Sequence, residues 1–175
     1  MRSSSHAVRF AVAVAVLGVV FAAADALAQS CAMCGASFGE NDPEGFVRIA
    51  PEEVKWRDLQ GYNGVQFAVI DGDPSKPGVY VVRVKFPPGV MTRPHFHPDT
   101  RYAVVLKGTW YTGTGDTFEP STAAGLKPGS FMKHPAGAHH YDGAKDEEVI
   151  LQLIGVGPSG TTWMHPEDGH TGPSQ

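Results

Sequence analysis

The sequence predicts an all-β domain, an antiparallel sandwich or barrel, on three observations. The first is punctuation. The 175 residues include 21 Gly and 14 Pro, against a usual combined share of about 12%. Proline removes a backbone donor and glycine adds backbone entropy to be lost, so long helices, coiled coils and Rossmann units are excluded. The second is a content of 42% hydrophobic and 10% aromatic residues, which excludes a disordered chain. The third is a series of short apolar runs at regular spacing, bounded by turn residues.

The elements follow in order. Arg2 and Arg9 flank a cationic start, and Ala11 to Ala24 is a stretch without a charge. That stretch is shorter than the roughly 20 residues a bilayer span needs. With Ala26-Leu27-Ala28 as a small-x-small site, residues 1–28 read as a Sec-type signal peptide cleaved after Ala28. The residues before Cys31 make no lipobox, and no twin-Arg pair is present. The expected destination is the periplasm or the exterior, with no stable membrane anchor after cleavage. Removing Arg2, Arg9 and Asp25 takes the net charge from −4 to −5. A nucleic-acid partner is therefore not expected, because it would require a basic face.

Residues 29–44 read as an N-terminal arm carrying Cys31 and Cys34. Two cysteines cannot build a four-thiolate zinc site, and Gly35 breaks the haem-attachment pattern. An oxidising compartment permits a disulfide between them. Residues 45–164 form the predicted domain, and residues 165–175, with Pro166, Gly169, Gly172 and Pro173, read as a mobile tail.

Within the domain, Phe46 to Ile49 reads as a short strand and Pro51 to Leu59 as one or two helical turns, with Pro51 leading and Glu52 and Glu53 following. Val65 to Ile70 and Val79 to Phe86 are strands, the second placing Val82, Val84 and Phe86 on one face. Further strands are expected at Arg93 to His97, Tyr102 to Lys107, Thr109 to Thr112, Ser130 to His134, His139 to Tyr141 and Glu147 to Val156. Asp146-Glu147-Glu148 reads as a solvated turn before the last of these.

His95 and His97 are two apart, so a strand projects both imidazoles to one side. Two neutral imidazoles on one face are half of a metal site, although a wet strand face can carry the same pair. A second cluster, His134 to His140, surrounds the Pro135-Ala136-Gly137 turn. Together these stretches resemble the cupin superfamily. Its first motif reads G-(x)5-H-x-H-(x)3,4-E-(x)6-G, and here Gly89, His95, His97, Arg101 and Gly108 fall at those spacings. Its second reads G-(x)5-P-x-G-(x)2-H-(x)3-N, matched by Gly129, Pro135, Gly137, His140 and Ala144. The Gly108-Thr109-Trp110-Tyr111 turn and the Gly155 to Thr161 ending resemble small secreted bacterial members.

The resemblance implies a single double-stranded β-helix, a jelly-roll barrel, with a divalent metal held in its mouth by His95, His97 and His140. Iron, manganese, zinc, copper and nickel all suit imidazole. Some similar cupins with three histidines and no glutamate are ferrous oxygenases. Oxygenase, isomerase and lyase chemistry on a small, anionic organic molecule are the enzymatic expectations; a non-enzymatic binding or sensing protein and a degenerate metal site are the alternatives. The family's edge strands also imply a homodimer.

Two departures bear on the site. Arg101 stands where the motif has its glutamate, and Ala144 where it has asparagine. Arginine has no lone pair for a metal. Three arrangements stay open: Arg101 turned aside and paired with Asp99 or Glu148; Arg101 anchoring an anionic substrate group beside the metal through its bidentate fork; or a cupin holding no metal. His139 is expected to face away from His140, His134 to be a surface residue at a strand end, and His165 and His170 to lie in the exposed tail. Tyr102, Trp110, Tyr111 and Phe131 are expected in the core or the pocket wall.

Overall fold

The computed structural model describes residues 45–175. The segment read as a signal peptide and the stretch read as an arm with Cys31 and Cys34 lie outside the described residues. Thirteen strands run in chain order: β1 (Arg57–Asp58), β2 (Gln66–Asp71), β3 (Gly78–Phe86), β4 (Val90–Thr92), β5 (His95–Phe96), β6 (Arg101–Lys107), β7 (Trp110–Thr114), β8 (Ala124–Leu126), β9 (Phe131–His134), β10 (His140–Ala144), β11 (Val149–Gly157), β12 (Thr162–Trp163) and β13 (Thr171–Pro173). Three single 3-10 turns, each opened by a proline, complete the list, and the described residues contain no α-helix.

One sheet has the order β1-β2-β3-β11-β6-β9, antiparallel throughout. Its centre is β11, paired along its whole length with β3 from Val149↔Phe86 to Gly157↔Gly78. Period-2 alternation sends Val149, Leu151 and Leu153 inward from β11, where they meet Tyr80, Val82 and Phe86 of β3 and Ala103 and Val105 of β6 in one core. Trp110 of the second sheet closes that core and is completely buried. The outer face of the first sheet is unusually apolar: Val79, Tyr102, Phe131 and Val156 are all more than two-fifths exposed.

The second sheet is organised by β10. One edge pairs with β7 over five residues, from His140↔Thr114 to Ala144↔Trp110. The other edge is shared, with β5 taking His140 and β4 taking Gly143. β12 and β13 extend β5 and β4 outward, and β8 extends β7. Two facing antiparallel sheets of this kind are a double-stranded β-helix, as the family resemblance implied. Gly108 joins β6 to β7 at φ +70°, and a side chain there would collide with the Glu148 carbonyl, so glycine is required at this turn.

Several expectations need correction. Phe46 to Ile49 forms no strand, and the helical segment shrinks to the 3-10 turn Pro51–Glu53 before β1 begins at Arg57. The segment read as a mobile tail is part of the second sheet. Thr171 pairs with Thr92, Gly172 with Met91 and Pro173 with Val90. Ser174 N–H donates to the Gly89 carbonyl at 3.1 Å, and the Asn63 amide donates to Thr171 Oγ1 at 2.8 Å. The physical reason is the outer edge of β4, whose backbone groups need partners. The Gly and Pro residues that suggested a loose tail still allow a three-residue edge strand. Tyr102 and Phe131 also depart from expectation: they face outward, stacked on each other with ring centres 6.2 Å apart.

Candidate metal centre

The register of the second sheet brings the two histidine clusters together. His140 opens β10 directly opposite His95 of β5, and their ring centres are 4.4 Å apart. His97 follows β5 by one residue and keeps the face of His95, 4.8 Å from it and 5.2 Å from His140. One ligand atom from each of the three lies within 4.8 Å of the others. Donors about 2.1 Å from a common ion lie at most about 4.2 Å apart, so the three stand near the spacing of a shared ion.

The backbone fixes which nitrogen faces inward. His95 Nδ1 is 2.7 Å from the Arg93 carbonyl, His97 Nδ1 is 2.6 Å from that of Gly160, and His140 Nδ1 is 3.0 Å from that of Ala138. A carbonyl only accepts, so each Nδ1 carries the proton and donates it. Each Nε2 is left as a bare lone pair. Among the described residues, the buried Nε2 atoms of His97 and His140 have no hydrogen-bond partner. A divalent ion would satisfy them, so the donor set fits the metal that the motif implies.

Burial, more than any neighbour, holds these rings neutral. It pushes His95 down to about 3, with His140 and Arg101 adding repulsion. His97 is lowered by burial and then by Arg101. Burial also lowers His140, while Asp142 opposes the shift. Neutral imidazole is the form that ligates.

Arg101 opens β6 and reaches the same cavity, of about 130 Å³, whose polar end is formed by His95, His97, His134 and Asp142. Phe67, Phe86, Leu151 and Trp163 belong to its apolar wall. The proposed partners of Arg101 are otherwise engaged. Glu148 pairs with Lys107 at 3.0 Å. Asp99 accepts from the Tyr80 hydroxyl at 2.6 Å and from the Ser159 hydroxyl at 2.7 Å. Among the described residues no carboxylate forms an ion pair with Arg101, and its buried Nε has no partner. Burial works against its charge, while Tyr80, Asp142 and Asp99 favour it.

The Asp99 network ties the loop after His97 to the strand that ends in Gly157. Ser159 lies one residue before Gly160, whose carbonyl orients His97. A side chain on Gly155 would strike both the Tyr80 hydroxyl and Asp99, so the network depends on the bare backbone there.

The other histidines separate cleanly. His139 faces away, bonded to Asp116 and stacked on Phe96 at 5.2 Å. His165 is exposed beside Glu167. His170 is not free in solvent: it packs on Tyr62 and Trp163 with centres 4.6 and 4.8 Å apart. His134 is the main correction. Read as a surface residue, it is 3% exposed, and its ring lies 4.0 Å from that of His140. Burial, with His140 and Arg101, pushes it down to about 2. The alternation of β9 was the available signal, because Met132 faces the core and His134 is two residues on. Asp142 was missed in the same way: it shares its face with His140, two residues earlier. It is 5% exposed, and burial raises its carboxyl while His140 and Arg101 oppose that rise.

A double-stranded β-helix that brings three histidines together defines a cupin-type domain with a potential metal site. The family comparison agrees. The chain belongs to the family described as the ChrR cupin-like domain, whose model matches residues 44–159. No curated protein matches the sequence. Among solved structures, the chain is similar to the DMSP lyase DddQ from Ruegeria pomeroyi, with 19% identity and a TM-score of 0.53 over 65% of this chain and 62% of that one. It is also similar to the polyketide cyclase RemF from Streptomyces resistomycificus, with 16% identity and a TM-score of 0.55 over 68% of this chain and 87% of that one. An RmlC-like cupin from Shewanella frigidimarina aligns at 12% identity with a TM-score of 0.51, over 65% of this chain and 94% of that one. The chain thus spans under two thirds of the lyase. These likenesses show the shared barrel.

Proposed function

We propose that the protein is a secreted or periplasmic metal-dependent cupin enzyme acting on a small anionic organic molecule. The observation that carries the reading is the common orientation of His95, His97 and His140, each with Nδ1 committed to a backbone carbonyl. The three Nε2 atoms would hold one divalent ion, with iron, manganese, zinc, copper and nickel as candidates. When bound, the ion supplies Lewis-acid activation of a coordinated substrate oxygen.

The rest of the reading concerns the chain's own residues. Three protein donors leave positions open for water and substrate. Arg101, without an ion-pair partner, would take a carboxylate or similar group through its fork. The apolar wall would exclude water from the remainder of the molecule, and the cavity volume restricts that molecule to a small one. Oxygenase-, isomerase- and lyase-type reactions fit these parts, with oxygenase chemistry put first because some similar cupins with three histidines and no glutamate are ferrous oxygenases. A non-enzymatic binding protein would use the same parts without turnover.

Elemental analysis of protein exported to the periplasm tests the metal. Stoichiometric metal in the native protein, lost in His140→Ala, supports the reading; its absence from the native protein overturns it. Mass spectrometry tests export: the mature chain is expected to begin at Gln29, and a mass that includes Met1 refutes cleavage. The homodimer is tested by sedimentation equilibrium.

A further inference from the structure

Beyond the mouth triad, a second set of donors shares His140 with it. One ligand atom from each of His134, His140 and Asp142 lies within 4.8 Å of the other two, and all three residues are buried. The five residues of the two sets do not form a single cluster of that size. We infer that His134, His140 and Asp142 form a second, carboxylate-containing cation site for one first-row divalent ion, filled in alternation with the site of His95, His97 and His140.

Unmet valence is the first support. Neither ring nitrogen of His134 has a hydrogen-bond partner among the described residues, nor has Nε2 of His140. A buried polar group left unpaired costs about 1–3 kcal/mol, and three such atoms share this corner. Asp142 is a buried carboxylate that accepts a long 3.5 Å bond from Thr92 Oγ1 and stands 3.7 Å from His140 Nε2. A cation between these groups takes one lone pair from each histidine and neutralises the acid.

The donor chemistry is the second. Two imidazoles and one carboxylate with further positions open are the set that ferrous iron and catalytic zinc take. This set cancels one of the ion's two charges; the mouth triad cancels none. Arg101 faces the same histidines from β6 and repels an ion there, and Asp142 offsets that repulsion.

Alternation follows from His140. Its Nδ1 is held by the Ala138 carbonyl, so Nε2 is its only free lone pair, and one lone pair serves one ion. His140 therefore chooses between two partners pairs, and the chain binds one ion at a time.

The test uses cobalt(II) as the probe, read by elemental analysis and by the visible ligand-field spectrum, with thermal melts to establish folding. The native protein is expected to bind one ion per chain. The double variant His95→Ala/His97→Ala is expected to keep one ion with a shifted spectrum. Adding His134→Ala, the milder His134→Gln, or the isosteric Asp142→Asn is expected to remove it. If the folded double variant binds nothing while the native protein binds one ion, the second site is overturned and the mouth site stands. Binding in the double variant that is indifferent to His134 and Asp142 also overturns it. Two ions in the native protein overturn the alternation, and none at all overturns both sites.

Discussion

His95 and His140 are direct cross-strand partners, 45 positions apart in the sequence and with ring centres 4.4 Å apart. Each projects from a strand whose register is fixed by neighbours outside the site: β10 by five pairs with β7, and β5 by its pairing with β12. The strands themselves thus hold the two imidazoles opposite each other. Buried nitrogens of His97, His134 and His140 are left without a hydrogen-bond partner among the described residues.

That strain gives the first prediction. His134 has two unpartnered nitrogens and lies in the same cavity. His134→Leu replaces them with an apolar group of similar volume. Removing unpaired buried groups at about 1–3 kcal/mol each is expected to raise the melting temperature of the metal-free protein. A fall in the melting temperature, measured by calorimetry in chelator, would show that His134 has partners the geometry does not reveal.

Acid sensitivity follows from the same rings. His95 has a folded pKa of about 3, below the roughly 6.5 of the unfolded chain. Its contribution is complete above the unfolded value and is lost as pH falls, because the unfolded state takes up the proton first. At pH 5 that favours unfolding by about 2 kcal/mol from His95 alone, with His97 and His134 acting in the same direction. The metal-free protein is expected to melt several degrees lower at pH 5 than at pH 7. His95→Gln should flatten the profile, and an unchanged slope in that variant would refute this source of acid sensitivity.

Much of the barrel was legible because alternation and turn chemistry are local. Val82 and Phe86 of β3, and Leu151 and Leu153 of β11, stand on the faces that a period of two assigns them. His95, His97 and His140 were legible because motif spacing encodes cross-strand register. Thr171–Pro173 was not, since its strand character comes from the edge of β4 and not from its own residues. His134 and Asp142 were hidden for a related reason. Their burial depends on which way β9 and β10 face, and an ionisable residue is ordinarily read as exposed.

Asp99 is expected to act on the site without touching it. It binds Ser159 and Tyr80, and Ser159 precedes the Gly160 carbonyl that orients His97. Loss of a hydrogen-bonded partner behind a ligating histidine costs about 10–100-fold in metal affinity. In a His134→Gln background, which leaves the mouth site alone, Asp99→Ala is predicted to weaken cobalt(II) binding by at most that factor while stoichiometry at saturation stays the same. Isothermal titration decides it, and unchanged affinity would mean that the loop holds His97 unaided.

Arg101→Gln separates anion binding from metal binding. A charge-assisted hydrogen bond contributes about 1.5–3 kcal/mol, so small carboxylates are predicted to bind roughly 10- to 150-fold more weakly. The ion should bind at least as tightly, because a repelling guanidinium is gone. Titration of the metal-loaded protein with a series of short carboxylic acids measures the first effect, and cobalt(II) affinity the second. Metal loss in the variant would instead make Arg101 a structural residue.

The tail gives a stability test independent of any ligand. Deleting residues 165–175 removes β13 from the edge of β4, together with the Asn63–Thr171 and Ser174–Gly89 hydrogen bonds. It also removes His170 from its stack on Trp163, which packs as well on His95 at 4.8 Å and on Tyr62 at 5.7 Å. A net contribution of about 1 kcal/mol per hydrogen bond predicts a clearly lower melting temperature. The truncation should also weaken cobalt(II) binding, because Trp163 loses one of the two rings that back it against His95 and keeps only Tyr62. Restoring only residues 165–170 should recover metal affinity more than stability, since those residues carry His170 but none of β13. Equal recovery of both would mean that the tail acts on the site through the sheet and not through the aromatic stack.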